Sequence, residues 1–301
     1  MDTLLWLIMF YTMKLRNFYN ADKLYCSMAL KPLKTEDSTC TFFDDEYNEA
    51  MHSLSGAYRE ALYMHVLPSR VLKKEGTVCV LDVGLGLGYN VLALLYEARK
   101  RNANAFYHIV SFEKNPAIPC AMETILFHDD RDEWYKLIRK AAVEKEVTTA
   151  WYNHVVLYGD ARKLIASMPE DYFDAVFHDP FSPAKNPELW TVDFFKKIYH
   201  VCRDDGIVTT YSAALHVRAA MHQAGFRVGI GPQVGRKKEG TVATKKNAAV
   251  VPLGDDYFTA LKTIAKAIPF TDVLLCDDPE LIRQRRHEAM HAFKKGHQAL
   301  E

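Results

Sequence analysis

Five short, almost unbroken apolar runs recur along the middle of this chain: Val78–Val83, His108–Phe112, Val155–Tyr158, Ala175–His178 and Ile207–Tyr211. Runs of that length are strands covered on both faces, and the amphipathic stretches between them leave room for crossover helices. The pattern predicts an α/β fold: a doubly wound, mostly parallel, Rossmann-like sheet. Phe226–Ile230 and Thr241–Lys245 predict an antiparallel terminal hairpin. The segment from Glu113 to His154 is too long for one crossover, and Asn115–Phe127 and Asp130–Lys145 read as two helices, the second an insertion. Upstream, Ala50–Val66 reads as a helix that stops before Pro68, because the residue preceding a proline disfavours the helical conformation.

Composition narrows the class further. The 301 residues are 49% hydrophobic, enough for a large core, and 38 basic side chains balance 38 acidic ones, which excludes a polycation but not a local basic face. Six cysteines lie far apart with no C-x-x-C, so neither a zinc cluster nor a disulfide framework is expected, and a reducing cytoplasm fits. Leu4–Tyr11 is apolar but far short of the ~20 residues that span a bilayer. It reads as a segment packed on the body, or as one upstream of a start at Met13. The expected organisation is an extension at 1–70 packing over the site, a catalytic domain at 71–250 and a basic helical extension at 251–301.

Directly after the first strand of the doubly wound sheet comes Asp82-Val83-Gly84-Leu85-Gly86-Leu87-Gly88-Tyr89-Asn90. Such glycines let a ligand approach a helix N-terminus, as dinucleotide-binding loops also do. Here the spacing is G-x-G-x-G, and Asp82 precedes it on the strand. An acid there would repel a pyrophosphate but suits the ammonium and sulfonium of S-adenosylmethionine. Glu113, ending the second strand, is placed to accept from ribose hydroxyls, and Asp160, after the third, from an adenine amino group. Each acid alone could equally be a strand-end cap; the ordered set points to the cofactor.

The fourth strand ends in His178-Asp179-Pro180-Phe181. Asp179 there should face the transferable methyl, orient an amine and accept its proton, while Phe181 stacks on the base that carries the amine. His178 should point to the opposite face in a structural role.

The long run Asp179-Pro180-Phe181-Ser182-Pro183-Ala184-Lys185-Asn186-Pro187-Glu188-Leu189-Trp190-Thr191 resembles the signature of MnmC-type tRNA methyltransferases. The likeness extends over roughly residues 40–247. It includes Glu49-x-x-His52-Ser53-x-x-Gly56-Ala57-x-x-Glu60, Ser111-Phe112-Glu113-Lys114, Tyr211-Ser212-Ala213 with Val217-Arg218, and Val234–Glu239. Leu87 replaces a small hydroxyl residue common in that family, and Pro180 replaces a frequent glycine; neither removes a charge.

The resemblance implies methylation of the amino group of 5-aminomethyl(-2-thio)uridine at the tRNA wobble position, with S-adenosylmethionine as cofactor and the anticodon stem-loop as partner. It implies a stand-alone form with no FAD domain, no metal and no membrane association. It also implies that His52, Ser53, Glu60, Asp82, Gly84, Gly86, Gly88, Asn90, Glu113, Lys114, Asp160 and Asp179 hold the cofactor, and that Asp179, Pro180 and Phe181 form the reaction centre. Lys185 and the basic turn Arg236, Lys237 and Lys238 would meet RNA phosphates, as would the basic run Arg283–Glu301, although each could instead be a solvated face. Other readings of the same features are a transferase for a small amine of the aminopropyltransferase type, and a non-catalytic RNA-binding protein on this fold.

Overall fold

A computed structural model describes residues 31–52, 54–101, 104–234, 239–247 and 249–298. The apolar run Leu4–Tyr11, Ser53 and Arg236–Lys238 lie outside the described residues.

The described chain opens with a three-stranded antiparallel sheet, β1 (Lys31–Lys34), β2 (Cys40–Asp44) and β3 (Glu49–Ala50), which the apolar pattern did not announce. Its strands are too short and half-polar to register as runs. The helix expected from Ala50 therefore starts later. It comprises Ala57–Glu60, a π-helical Ala61–Val66 and Leu67–Ser69, together α1. It also runs past Pro68 and stops at Arg70, which is left-handed at φ 61°. The widened turn ahead of Pro68 already breaks the i→i−4 ladder that a proline would spoil.

From there the expected alternation appears as β4 (Gly76–Val83), α2 (Tyr89–Lys100), β5 (Ala105–Glu113), α3 (Ile118–Glu123), α4 (Arg131–Glu144), β6 (Glu146–Thr148) and β7 (Tyr152–Tyr158). It continues with α5 (Ala161–Leu164), β8 (Phe173–His178), α6 (Val192–Val201), β9 (Cys202–Thr210) and α7 (Leu215–Gln223). The hairpin β10 (Arg227–Ile230) and β11 (Thr241–Thr244) follows, then α8 (Asp255–Thr263) and α9 (Pro279–Gln298). The eight-stranded sheet has the order β10-β11-β9-β8-β4-β5-β7-β6. The five strands β7, β5, β4, β8 and β9 are parallel, and β6, β11 and their pairings are antiparallel.

Alternation along β4 shows why the apolar run is continuous. Val78 and Val80 enter the core under α1, α2 and α4, whereas Cys79, Leu81 and Val83 enter the core under α6 and α7. Each face needs its own apolar set, because successive strand residues point to opposite sides. α4 carries Asp132 and Glu133 in its first turn, where the helix dipole favours them, and ends at Lys145 in the left-handed region.

Candidate active site

The strand order reverses at β4, whose neighbours β5 and β8 lead away in opposite directions, and this opens a crevice beyond the carboxyl ends of the strands. A cavity of ≈ 460 Å³ lies there, within the range usual for small-molecule sites. The loop after β4 forms its floor. Gly84, at φ 95°, passes so close to β8 that a Cβ would sit 2.8 Å from the Asp179 carbonyl oxygen, so no other residue fits. A Cβ on Gly86 would meet only His52 Cε1, at 3.9 Å, which leaves the space above the loop open to a ligand.

Glu113 closes the β5 side. Its Oε2 accepts from Gly86 N at 2.9 Å and its Oε1 from Asn115 N at 2.7 Å, so the carboxylate also braces the glycine loop. Burial nonetheless pushes its carboxyl above the ordinary value. Asp160 caps α5, accepting from Arg162 N at 2.9 Å and pairing with the Arg162 guanidinium at 2.8 Å. Arg162 also donates to Asp272 Oδ2 and to the Asp277 carbonyl, tying residues 272–277 to this corner.

The β8 side is different. The Asp179 side chain is 16% exposed. Its Oδ2 accepts from Asn90 Nδ2 at 3.0 Å and its Oδ1 lies 3.6 Å from His65 Nε2. Burial acts to raise its carboxyl, but His65, then His52 and Asn90, hold it below the ordinary value. Beside it Phe181 stacks on Tyr47, ring centroids 4.2 Å apart and planes 16° from parallel. Trp190 Nε1 donates to the Phe181 carbonyl and the Tyr211 hydroxyl to that of Pro180, which fixes the turn.

The cavity wall thus brings together His52, Gly84, Gly86, Glu113, Lys114 and Asp160 with Asp179, Pro180 and Phe181. The other described residues expected at the site stand behind that wall. Asp82 is fully buried, accepting from Asn90 Nδ2 at 3.2 Å and Ser111 Oγ at 3.0 Å. The direct contact expected of it gives way to an indirect one, in which Asp82 and Asp179 share the Asn90 amide. With no water to solvate it, the Asp82 carboxyl is raised to about 7. Gly88 caps α2, where a Cβ would fall 2.8 Å from Ile138 Cγ2; it packs against α4 and does not line the cavity. Glu60 is buried in α1, and Lys185 lies on the loop after β8, where its carbonyl accepts from Arg283 of α9. His178 is fully buried against Trp190, Phe194 and Phe195, and burial lowers its pKa to about 3.

Three residues at or beside the site were missed by sequence reasoning. Tyr47 comes from a hairpin that periodicity did not register, and His65 from a turn whose helical phase the π-helix shifts. Glu188 was quoted only as part of the signature. It lines the cavity, is 7% exposed, and its Oε2 is buried with no hydrogen-bond partner among the described residues. A buried carboxylate oxygen in that state calls for a donor, which water or a ligand can supply.

Among the described residues no cluster of three metal-ligating side chains occurs, and no helix is long and apolar enough to cross a membrane. The open loop, the strand-end acids and the apolar surfaces of Val83, Phe112 and Leu189 fit S-adenosylmethionine. That cofactor carries a cationic end, a ribose and a flat base.

Residues 126–246 match a family described as S-adenosyl-L-methionine-dependent methyltransferase. An uncharacterized protein of Methanocaldococcus jannaschii is 33% identical over 275 residues, covering 87% of this chain and 73% of that one. The tRNA 5-methylaminomethyl-2-thiouridine biosynthesis bifunctional protein MnmC of Burkholderia vietnamiensis is 29% identical over 224 residues. That match covers 65% of this chain but 33% of the bifunctional protein, so the chain spans about one third of such relatives. Among solved structures, MNMC2 from Aquifex aeolicus superposes with a TM-score of 0.78 at 30% identity, over 97% of this chain and 100% of that one. A likeness that runs the full length of that solved chain, on a cavity built for S-adenosylmethionine, places this protein in the MnmC-type family of S-adenosyl-L-methionine-dependent methyltransferases.

Proposed function

We propose that the methyl acceptor is the amino group of 5-aminomethyl(-2-thio)uridine at the wobble position of tRNA, giving the 5-methylaminomethyl nucleoside. The observation that carries this reading is Asp179, a carboxylate kept ionised at the cavity wall beside the Tyr47–Phe181 stack. S-adenosylmethionine supplies a methyl already activated on a sulfonium. What the chain must add is an oriented, deprotonated amine, because an aliphatic amine is mostly protonated near neutral pH. Asp179 accepts the ammonium proton at its carboxylate and aims the freed lone pair. The aromatic pair offers a face for a splayed pyrimidine, the way single-stranded bases are held. Glu188, with its Oε2 lacking a partner among the described residues, suits an N–H donor on that base.

Ribose binding by Glu113, an adenine contact by Asp160, and cofactor contacts by His52, Ser53, Lys114, Gly84 and Gly86 belong to the same reading. RNA phosphates are assigned to Lys185, Arg236, Lys237 and Lys238. Supporting this, β9 is parallel to β8, and Thr241 pairs with both Thr210 and Ile230. The connection from β10 to β11 therefore leaves from the carboxyl edge of the sheet, where the cavity opens. The test is methyl transfer from labelled cofactor to tRNA carrying 5-aminomethyluridine, to unmodified tRNA and to a free polyamine. Transfer to the first alone is expected. Transfer to a free amine would favour the small-amine reading, and no transfer with intact cofactor binding would favour the RNA-binding one.

A further inference from the structure

His65 is fully buried in the π-helical turn Ala61–Val66 of α1, and no described hydrogen bond uses its Nε2. Single π-helical turns inside helices occur disproportionately at functional sites, since they rotate one side chain out of the helical phase. Here the rotated ring packs against Phe177 and reaches across to β8. Nδ1 lies 3.0 Å from Thr209 Oγ1, and Nε2 lies 3.6 Å from Asp179 Oδ1, inside ion-pair range.

Hydrogen accounting at this ring leaves two arrangements. If the Thr209 hydroxyl donates to the Val176 carbonyl, 3.5 Å away, it can only accept from Nδ1–H. With Asp179 ionised, a bare Nε2 would then set its lone pair against a carboxylate, so this arrangement places a proton on Nε2 as well. If the Thr209 hydroxyl instead donates to Nδ1, the single ring proton sits on Nε2. In both arrangements an N–H points at Asp179 Oδ1.

We infer that His65 is a positioning residue for methyl transfer: its Nε2–H, opposite the Asn90 amide on the other carboxylate oxygen, holds Asp179 as an anion aimed at the acceptor amine. The inference rests on the reading of Asp179 given above. The groups facing this pair are Asp82 on β4, His52 after β3, His178 on β8 and Tyr211 after β9. Asp82 and Tyr211 carry no positive charge, and His178 is buried and neutral near neutral pH. Besides the Asn90 amide, His52 also reinforces the anion. Without His65, burial dominates at Asp179 and its carboxyl rises. The acid limb of the pH–rate profile should then move to higher pH.

Two measurements on the full chain decide the inference. In the first, 15N-labelled imidazoles are observed by NMR in wild type, His65→Gln (which assigns the His65 signals) and Asp179→Asn. A proton on His65 Nε2 that responds to Asp179→Asn is expected; an unprotonated Nε2 overturns the inference without any acceptor substrate. In the second, single-turnover transfer to aminomethylated tRNA is followed across pH, with cofactor affinity measured by calorimetry. His65→Phe should slow transfer about tenfold to a hundredfold and shift the acid limb up by about one unit, with cofactor affinity unchanged. His65→Gln, which keeps an N–H donor, should recover most of both. If His65→Phe no longer binds cofactor, His65→Gln decides alone: a rate and acid limb near wild type support the role, and a loss as deep as that of Asp179→Ala overturns it. Should wild type transfer no methyl to this tRNA, the substrate reading fails while the NMR result still judges His65.

Discussion

The two walls of the cavity follow opposite plans. On the β5 side, Glu113 takes two backbone N–H groups and Asp160 takes Arg162, so these acids are satisfied by the chain itself. On the β8 side, Asp179 is held from behind by Asn90 and His65, and Glu188 Oε2 is buried with no hydrogen-bond partner among the described residues. A satisfied wall is fixed before any ligand arrives, whereas open acceptors gain their partners from the ligand. In the proposed reading the first wall is the preorganised cofactor side and the second is completed by the methyl acceptor.

The largest effect should come from the open wall. Asp179→Ala is expected to slow single-turnover methylation ~10²–10⁴-fold by losing orientation and proton acceptance together. Asp179→Asn, which keeps the shape and one acceptor, should retain more activity, and cofactor binding should survive both. Near-normal turnover by Asp179→Ala would erase the contrast between the walls. On the satisfied wall the loss should appear in binding. Glu113→Ala is expected to weaken S-adenosylmethionine affinity roughly tenfold to a hundredfold, since a charge-assisted partner is worth ~1.5–3 kcal/mol. Calorimetry showing unchanged affinity would remove Glu113 from the cofactor.

Asp82 and Asp179 sharpen the comparison, because one amide, Asn90, contacts both and burial raises both, while His65 and His52 bring Asp179 back below its ordinary value. The Asp82 carboxyl titrates near 7 when folded, against 3.8 ordinarily. Between those values the folded chain keeps a proton that the unfolded chain has released. This group's contribution to stability is therefore greatest below about pH 4 and falls as pH rises to about 7. Asp82→Asn has no proton to lose, so its Tm relative to wild type should rise across that window. A difference that stays flat between about pH 5 and pH 8 would show that Asp82 is not held protonated. The smallest effect concerns the rim. Replacing Arg236, Lys237 and Lys238 with Ala should flatten the salt dependence of tRNA binding by ~0.7–0.9 log units per lost contact, leaving cofactor affinity alone. An unchanged slope would return these side chains to a solvated face.

The strands were legible because a strand buried on both faces is apolar at most positions, and β4, β5 and β8 wrote that requirement into short runs. The glycine loop was legible because a turn packed 2.8 Å from a neighbouring backbone excludes every side chain at Gly84. The β1–β3 sheet was not, since two- to five-residue strands that mix polar and apolar side chains leave no periodic trace. Gly88 shows a finer failure: the same residue type, two positions along, answers to Ile138 of α4, a contact no local pattern contains.

By itself the sequence determined the doubly wound sheet, the place of the crevice and the acids at three strand ends, because these follow from local apolar pattern and from the rule that ligands sit where strand order reverses. Tertiary structure alone decided which acids meet the cavity and in what state. Asp82 and Asp179 are both strand-end aspartates, yet one lies fully buried behind Asn90 and is raised to about 7, while the other reaches the cavity wall and is held as an anion. The difference comes from groups brought to Asp179 across the fold, His65 from a π-helical turn of α1 and His52 after β3. Proton affinity depends on desolvation and neighbouring charge in space, and neither is a property of sequence order.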